Sequence, residues 1–204
     1  MRALVVILLG SFATTVAAGQ TCTGNLPFSF GRMHAAANVA IDKHTMRYVG
    51  EFRFGGPRFF GEFEAGLKTW DQETFDGKSA VVGFGAGVEL THAEDLSVCP
   101  VISWIALSGP QGHSEDTYAV GVSAGFTMFR GTGWDIVPTA AVLTGGRKIY
   151  RTSCCARETQ SMGSVAIGFQ FSHRITLVPS VVFALGDSRD AVYGMRVALR
   201  LGKS

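Results

Sequence analysis

The grouping of residues that most resembles a catalytic site lies in one polar stretch. His113 is followed directly by Ser114, Glu115 and Asp116. Nucleophilic catalysis needs a hydroxyl and a base within hydrogen-bond reach, with a third group that orients the base, and these residue types could supply all three. Polar loops also produce such groupings by composition alone. We therefore predict no catalytic residue and expect that the protein is not an enzyme.

A glycine-rich run at residues 83–87, Gly-Phe-Gly-Ala-Gly, is similar to a phosphate-binding loop. It lies, however, inside a longer alternation in which Val82, Phe84, Ala86 and Val88 occupy every second position. That alternation is typical of a strand, where glycine indicates close packing. Neither pair of cysteines has the spacing of a zinc site. We predict no cofactor and no metal.

Charged side chains recur at every second or fourth position of several segments, so that they share one face of each segment. Because alternate residues of a strand point to the same side, opposite charges on neighbouring strands could pair with one another. One interpretation is a structural ion-pair network. The alternative is that these residues line an ion-selective pore. The candidate set is Arg47, Glu51, Arg53, Glu62, Glu64, Lys68, Glu89, Arg196 and Arg200.

The elements that must position these residues are strands. The clearest are residues 164–171 and 193–201, in which large apolar residues alternate with small or polar ones. Each such strand has one apolar face and one small or polar face. Reading the whole chain in this way predicts about ten strands, or eight if the first two do not close the sheet. The predicted strands are Met33–Ile41, Met46–Phe54, Phe59–Trp70, Ala80–Leu90, Val98–Leu107, Tyr118–Phe129, Trp134–Leu143, Ser164–Phe171, Ile175–Leu185 and Tyr193–Leu201.

The connections alternate in length. Short turns follow every second strand, and longer polar loops are predicted over Asp71–Lys78, Ser108–Asp116 and Gly145–Gln160. With ten strands, all short turns fall on the same side as the two termini. Transmembrane barrels have this arrangement, with short periplasmic turns and longer extracellular loops.

The character of the two faces indicates which one is outside. The face opposite the apolar residues carries residues such as Ala119, Gly121, Ser123 and Gly125, which are too small and uncharged for a water-exposed surface. They suit the crowded interior of a narrow barrel, with the apolar face in lipid. An Arg or Lys on the lipid face near the midplane would cost about 2–4 kcal/mol, which also places the charged set in the lumen.

The four cysteines fall into two pairs. Cys154 and Cys155 are adjacent, and consecutive Cα atoms lie about 3.8 Å apart, below the usual disulfide range of about 4.4–6.8 Å, so their pairing stays open. Cys22 precedes the first predicted strand and Cys99 starts a strand after a short turn. Both belong to the periplasmic mouth, and we predict a Cys22–Cys99 bridge that ties residues 20–27 across it.

The N-terminus has the layout of a secretion signal. Met1-Arg2 is followed by an apolar run from Ala3 to Leu9 and by the small residues of positions 16–19. We predict a cleaved signal peptide over residues 1–19 and a single barrel domain over residues 20–204. The net charge of +2 and the 17% of charged residues give no indication of nucleic-acid binding.

With these features the chain resembles the small bacterial outer-membrane β-barrel proteins, the group of OmpA-like and OmpX-like barrels. The resemblance rests on the signal segment, the alternation in Val165–Phe171 and the closing strand Tyr193–Leu201. It implies an all-β protein, a single antiparallel up-and-down transmembrane β-barrel in the bacterial outer membrane. The chain departs from this group in ending on Leu201-Gly202-Lys203-Ser204 rather than on an aromatic residue.

Three functions remain open at this point. The first is a structural or envelope barrel with a lumen plugged by polar side chains, monomeric, bound by outer-membrane lipid and able to meet an extracellular partner through its long loops. The second is a narrow pore for small solutes. The third is a soluble secreted barrel that binds an apolar ligand.

Overall fold

Ten antiparallel strands close on themselves in the computed structural model of this chain. The structure describes residues 22, 33–56, 58–72, 75–90, 96–109, 114–128, 134–151, 154–171, 174–186 and 191–201, with the backbone alone at 71–72, 75–76, 151 and 154–155. The predicted signal peptide, His113 and the side chains of Cys154 and Cys155 therefore lie outside what is described.

Each strand pairs with its neighbours in the chain, and the first pairs with the last, so the barrel is of the up-and-down type. This confirms the predicted all-β class and the preferred number of ten strands. The closing pair runs antiparallel from Met33–Leu201 to Ile41–Tyr193. The strands are β1 (Met33–Ile41), β2 (Thr45–Gly55), β3 (Phe59–Gln72), β4 (Phe75–Val88), β5 (Leu96–Ser108), β6 (Ser114–Phe126), β7 (Trp134–Arg151), β8 (Cys154–Phe171), β9 (Ile175–Ala184) and β10 (Ala191–Leu201).

No helix in the described ranges is long and apolar enough to cross a membrane.

The apolar faces of the strands point outward. Val120 and Val122 are 57% and 50% exposed, whereas Ala119 and Ser123, on either side of this pair in sequence, are 5% and 6% exposed. The same division holds on the closing strand, where Val197 is exposed and Ala198 is buried. An apolar exterior around a small-residue interior is the inverse of a water-soluble barrel and matches a barrel in lipid.

The predicted polar loops are drawn too long, because many of their residues belong to strands. The Gly145–Gln160 stretch continues β7 to Arg151 and begins β8 at Cys154. The Asp71–Lys78 and Ser108–Asp116 stretches also lose residues to the strands on either side. A ladder is held by backbone hydrogen bonds, so it continues beyond the lipid, where apolar alternation is no longer required.

On this side of the barrel β6, β7 and β8 continue together, and the first residues of β6 are also paired with the end of β5. We call residues 114–117, 144–151 and 154–161 the β6–β8 extension. Its base is marked on the outer face by a hydrogen bond of 3.2 Å from the Ser161 hydroxyl to the Thr144 hydroxyl. The outward apolar residues of the same two strands that lie nearest to it are Val142 and Val165, on the barrel below.

Candidate functional site

The luminal charges come from strands whose inward positions alternate with lipid-facing aromatic residues. On β2, Glu51 and Arg53 are 7% and 5% exposed, while Phe52 between them is 36% exposed. On β3, Glu64 is buried and Phe63 is exposed. The period of two in the sequence thus carries the charges into the lumen and the rings toward lipid.

Three arginines and three glutamates of the predicted set meet inside the barrel. Arg53 lies directly opposite Glu62 across β2 and β3, and its Nε donates to the Glu62 carboxylate at 2.7 Å. Arg47 forms an ion pair with Glu64. Arg196 Nη1 lies 3.7 Å from the Glu51 carboxylate. We call these six residues the luminal charge cluster. A further neutral donor belongs to it, since Asn38 Nδ2 donates to Glu51 at 2.7 Å.

Glycines on the neighbouring strand make room for the carboxylates. Gly83 and Gly85 of β4 lie directly opposite Glu64 and Glu62 of β3. A Cβ at Gly83 would lie 2.8 Å from Cγ of Glu64. The glycine run that resembles a phosphate loop is thus part of the luminal wall, where it accommodates acidic side chains.

The other predicted charges are not part of this cluster. The Lys68 ammonium lies 4.0 Å from the centre of the Trp70 ring. Arg200 lies opposite His34 on the closing pair of strands. Glu89 lies just after β4, buried, and accepts a hydrogen bond from the Ser97 hydroxyl. Its burial raises the pKa of the Glu89 carboxyl, although the Ser97 hydroxyl and Arg58 act in the opposite direction.

One group of charged residues was not predicted from the sequence. Arg147 pairs with Glu115 through Nη2 at 2.6 Å and Nε at 3.0 Å, and its Nη1 lies 4.0 Å from Glu158. Glu115 is only 3% exposed. These residues fall in stretches predicted as loops, but Arg147 and Glu158 are opposite each other on paired strands. Extending the ladder past the apolar positions would have shown them.

Cys22 and Cys99 are joined by a disulfide in the structure. Their Cα atoms lie 6.1 Å apart, and 77 positions separate the two residues in sequence. Both are buried, and the Ser123 hydroxyl on β6 donates to the carbonyl oxygen of Cys22. Cys22 is therefore held against the β5–β6 wall, which lies across the barrel from the closing pair of β1 and β10.

A cavity of about 270 Å³ separates two unlike walls of the lumen. One wall presents Arg53, Glu62 and Arg196, and the other presents small and hydroxyl-bearing residues such as Ser103 and Ser164. Cys22 also lines this cavity, so it lies in the lumen itself rather than only at the mouth. At about 30 Å³ per water molecule, the space corresponds to roughly nine waters.

The carboxylates of Glu51, Glu62 and Glu64 come close enough to hold a cation, with ligand atoms within 4.8 Å of one another. Each of them, however, is paired with an arginine of the luminal charge cluster. Three fixed positive charges at the same place offset the attraction that a metal ion would need. The arrangement is an interleaved ion-pair cluster, and it does not fit a metal site.

Comparison with solved structures gives the same architecture. An outer-membrane channel from Pseudomonas putida F1 is 10% identical and matches with a TM-score of 0.53 over 85% of this chain and 97% of that chain. The translocator domain of the autotransporter NalP from Neisseria meningitidis is 9% identical, with a TM-score of 0.51 over 99% and 94%. The beta domain of the Bordetella autotransporter BrkA is 12% identical, with a TM-score of 0.51 over 83% and 98%.

No protein-family model and no curated protein sequence matches the chain. At these identities the structural matches concern the fold alone. The fold is that of the outer-membrane β-barrels: a ten-stranded barrel with an apolar exterior and a polar, ion-paired interior.

Proposed function

We propose that this protein is a bacterial outer-membrane barrel with a structural or surface-interaction role and a lumen closed to all but the smallest solutes. The observation that carries the proposal is the content of the lumen. The luminal charge cluster extends from one wall, Cys22 occupies the opposite wall, and the 270 Å³ between them is lined by both. In a narrow barrel, long arginine side chains that are ion-paired across the lumen occupy most of its cross-section and leave little open space.

The outer-membrane location is supported by the exterior and by the leader. Residues such as Val120, Val142 and Tyr193 expose apolar surface that would be unfavourable in water. The N-terminal 19 residues have the pattern of a signal peptide that is removed on export. In the proposed orientation the termini and short turns face the periplasm and the β6–β8 extension faces outward. Lipid surrounds the barrel, which we propose is a monomer.

Fractionation tests the location. We expect the folded protein in the outer-membrane fraction, extracted only by detergent, with a gel mobility that changes on heating. The third function, a soluble barrel with an apolar ligand, predicts instead a protein that is released with the soluble periplasmic or secreted fraction. Recovery there in folded form would contradict our proposal.

Planar bilayers distinguish the closed lumen from the narrow pore. We expect insertion of the purified barrel without reproducible conductance steps in a concentrated potassium chloride solution. The pore alternative is favoured by the cavity, whose volume of about 270 Å³ has room for several waters. A reproducible unit conductance that scales with the number of inserted barrels would establish the pore in place of the closed barrel.

We further propose that the Cys22–Cys99 bond forms in the exported protein. Export delivers the chain to an oxidising compartment, where disulfides form and persist. In the folded barrel the two cysteines are buried next to each other. Proteolytic mass mapping without reductant should recover one peptide pair that contains both residues and that separates on reduction. Two free thiols at these positions would rule the bond out.

A further inference from the structure

One edge of the β6–β8 extension lacks a neighbouring strand in the described part of the chain. The pairing of β8 with β9 ends at Met162–Ala184, and a last hydrogen bond of 2.8 Å runs from the Leu185 amide to the Ser161 carbonyl. The described residues on this side end at Gly186, which has a φ of 149°, a conformation that glycine adopts readily. Residues 154–160 continue on β8, and among the described residues their strand partners belong to β7.

The ladder periodicity identifies the backbone groups that face this free edge. In an antiparallel ladder, alternate residues direct both N–H and C=O to the same side. Because Ser161 directs its carbonyl toward β9, Thr159 and Arg157 direct their backbone groups to that side as well. All five side chains of residues 156–160 are exposed, so both faces of the strand are also accessible. An edge of this kind can accept an added strand.

The charges along the edge determine which strand would fit. On the outer face, Lys148 lies directly opposite Arg157, so two like charges are neighbours. On the inner face, Glu158 lies opposite Arg147 and is 59% exposed on its side chain. An added strand would place one side chain beside Arg157 and the next beside Glu158. Opposite charges are favoured at such positions, hence an acidic residue beside Arg157 and a basic residue beside Glu158.

A second copy of this chain fits the edge poorly. Two-fold antiparallel pairing of two identical edges keeps the same faces together. A register centred on residue 157 then places Arg157 opposite Arg157 of the other copy. A register centred on residue 158 places Glu158 opposite Glu158. Both put like charges together, which is unfavourable. Two barrels inserted the same way into one membrane also run their β8 strands in the same direction, which excludes the antiparallel arrangement.

We propose that the free edge of β8 binds an extended segment of a different protein at the cell surface, as an added antiparallel strand. Since an antiparallel strand reads in the reverse order, the segment carries Lys or Arg followed immediately by Asp or Glu. The backbone of residues 157 and 159 supplies the hydrogen bonds, and Arg157 and Glu158 select the order of the charges. This inference rests on the proposed function only for its surface compartment.

Two synthetic peptides of the same composition test the proposal on the purified, folded barrel in detergent. Both are fluorescent ten-residue peptides of alternating Thr and Val, with Lys-Glu at the centre of one and Glu-Lys at the centre of the other. We expect the Lys-Glu peptide to bind roughly tenfold more tightly, measured by fluorescence anisotropy, since two cross-strand pairs change sign. Equal binding of the two, or no binding of either, would overturn the proposal.

Variants of the edge separate charge selection from backbone pairing. The double change Arg157→Glu with Glu158→Arg should reverse the preference in favour of the Glu-Lys peptide. Thr159→Pro removes an edge amide without affecting the ladder to β7 and should weaken binding of both peptides, whereas Thr159→Val should not. An unchanged preference in the double variant, with the heat-dependent gel mobility retained, would contradict the assignment.

Amide hydrogen exchange gives a readout that needs no peptide. We expect fast exchange at Arg157 and Thr159, which face the free edge, and slower exchange at Ala156 and Glu158, which bond to β7. Uniform protection along residues 156–159 would show that the edge is covered and would sink the inference. Failure in these experiments with the barrel still in the outer membrane refutes the partner alone, whereas failed fractionation refutes the proposed function.

Discussion

Adjacent residues of one strand face opposite environments: one side chain points to lipid and the next points into the lumen. Val165 on β8 is 48% exposed on the outer face, while Ser164 lines the luminal cavity. The two are neighbours on one strand, so a charge introduced at either position lies at nearly the same depth in the membrane. What differs is the solvent that the new charge meets.

Val165→Arg should therefore prevent or destabilise membrane assembly, by about 2–4 kcal/mol for a charge near the bilayer midplane. Ser164→Arg should assemble, because the cavity offers water and the carboxylate of Glu62. Urea unfolding from lipid vesicles, followed by the heat-dependent gel shift, measures both. Normal assembly of the Val165 variant would show that the outward face is misassigned.

The Arg53–Glu62 pair is the part of the luminal charge cluster with the most complete contact. Arg53 is nearly fully buried and also lies 5.6 Å from the centre of the Phe60 ring. Glu62→Gln takes away the charge of the carboxylate that the buried Arg53 contacts through Nε, so it should cost about 3 kcal/mol of unfolding free energy. Arg53→Met combined with Glu62→Gln should cost less than Glu62→Gln alone. A double variant as unstable as the single one would argue that the ion pair itself stabilises the fold.

At the level of elements, the strands were predictable and their outer ends were not. Alternation located β1 at the same bounds as the structure, because its outward residues are apolar along their whole length. On β7 the outward apolar positions end at Val142. The sequence beyond it resembles a polar loop, although the ladder continues to Arg151. Backbone hydrogen bonds leave no pattern in the side chains. For the same reason apolar alternation alone did not indicate the Arg147–Glu115 pair, whereas it placed Arg53 and Glu62 on luminal faces of neighbouring strands.

The turn between β1 and β2 is organised by one carboxylate. Asp42 accepts hydrogen bonds from the backbone amides of His44 and Thr45, at 2.8 and 2.7 Å, and from the Thr45 hydroxyl. Burial alone would raise the pKa of Asp42, but these hydrogen bonds lower it below its usual value of 3.8. A lowered folded-state pKa means that the ionised carboxylate stabilises the fold above the unfolded-state pKa.

Asp42→Asn should accordingly remove a pH-dependent contribution to stability. The difference in unfolding free energy between the protein and this variant should be constant near neutral pH. It should shrink as the pH falls below 3.8 and through the lowered pKa of Asp42. Urea unfolding at a series of pH values measures this difference. A difference that grows toward acid pH would contradict the direction of the pKa shift.

The whole molecule combines a lipid-matched exterior with an interior that is unevenly charged. The charged wall belongs to β10, β1, β2 and β3, and at the level of the cavity the opposite wall of β5 to β8 presents uncharged side chains, many of them small or hydroxyl-bearing. The closed sheet could be predicted from the sequence pattern. Ten alternating strands can be recognised, and closure gives each of them a neighbour on both sides. The cavity between the walls does not follow from that pattern, because its volume depends on how far the arginine side chains reach and on where Cys22 is held.

The closed state of the lumen should therefore depend on a few side chains and not on the barrel wall. Arg53→Ser combined with Glu62→Ser keeps the net charge and removes two long side chains that border the cavity of about 270 Å³. We expect this variant to show conductance steps in planar bilayers where the parent protein shows none. The matched control, Asp116→Ser combined with Lys148→Ser, removes one charge of each sign from the outer face of the β6–β8 extension and should stay silent. If the luminal variant is equally silent while correctly folded, the lumen is closed by the bridged Cys22 and its wall, and the luminal charge cluster serves stability alone.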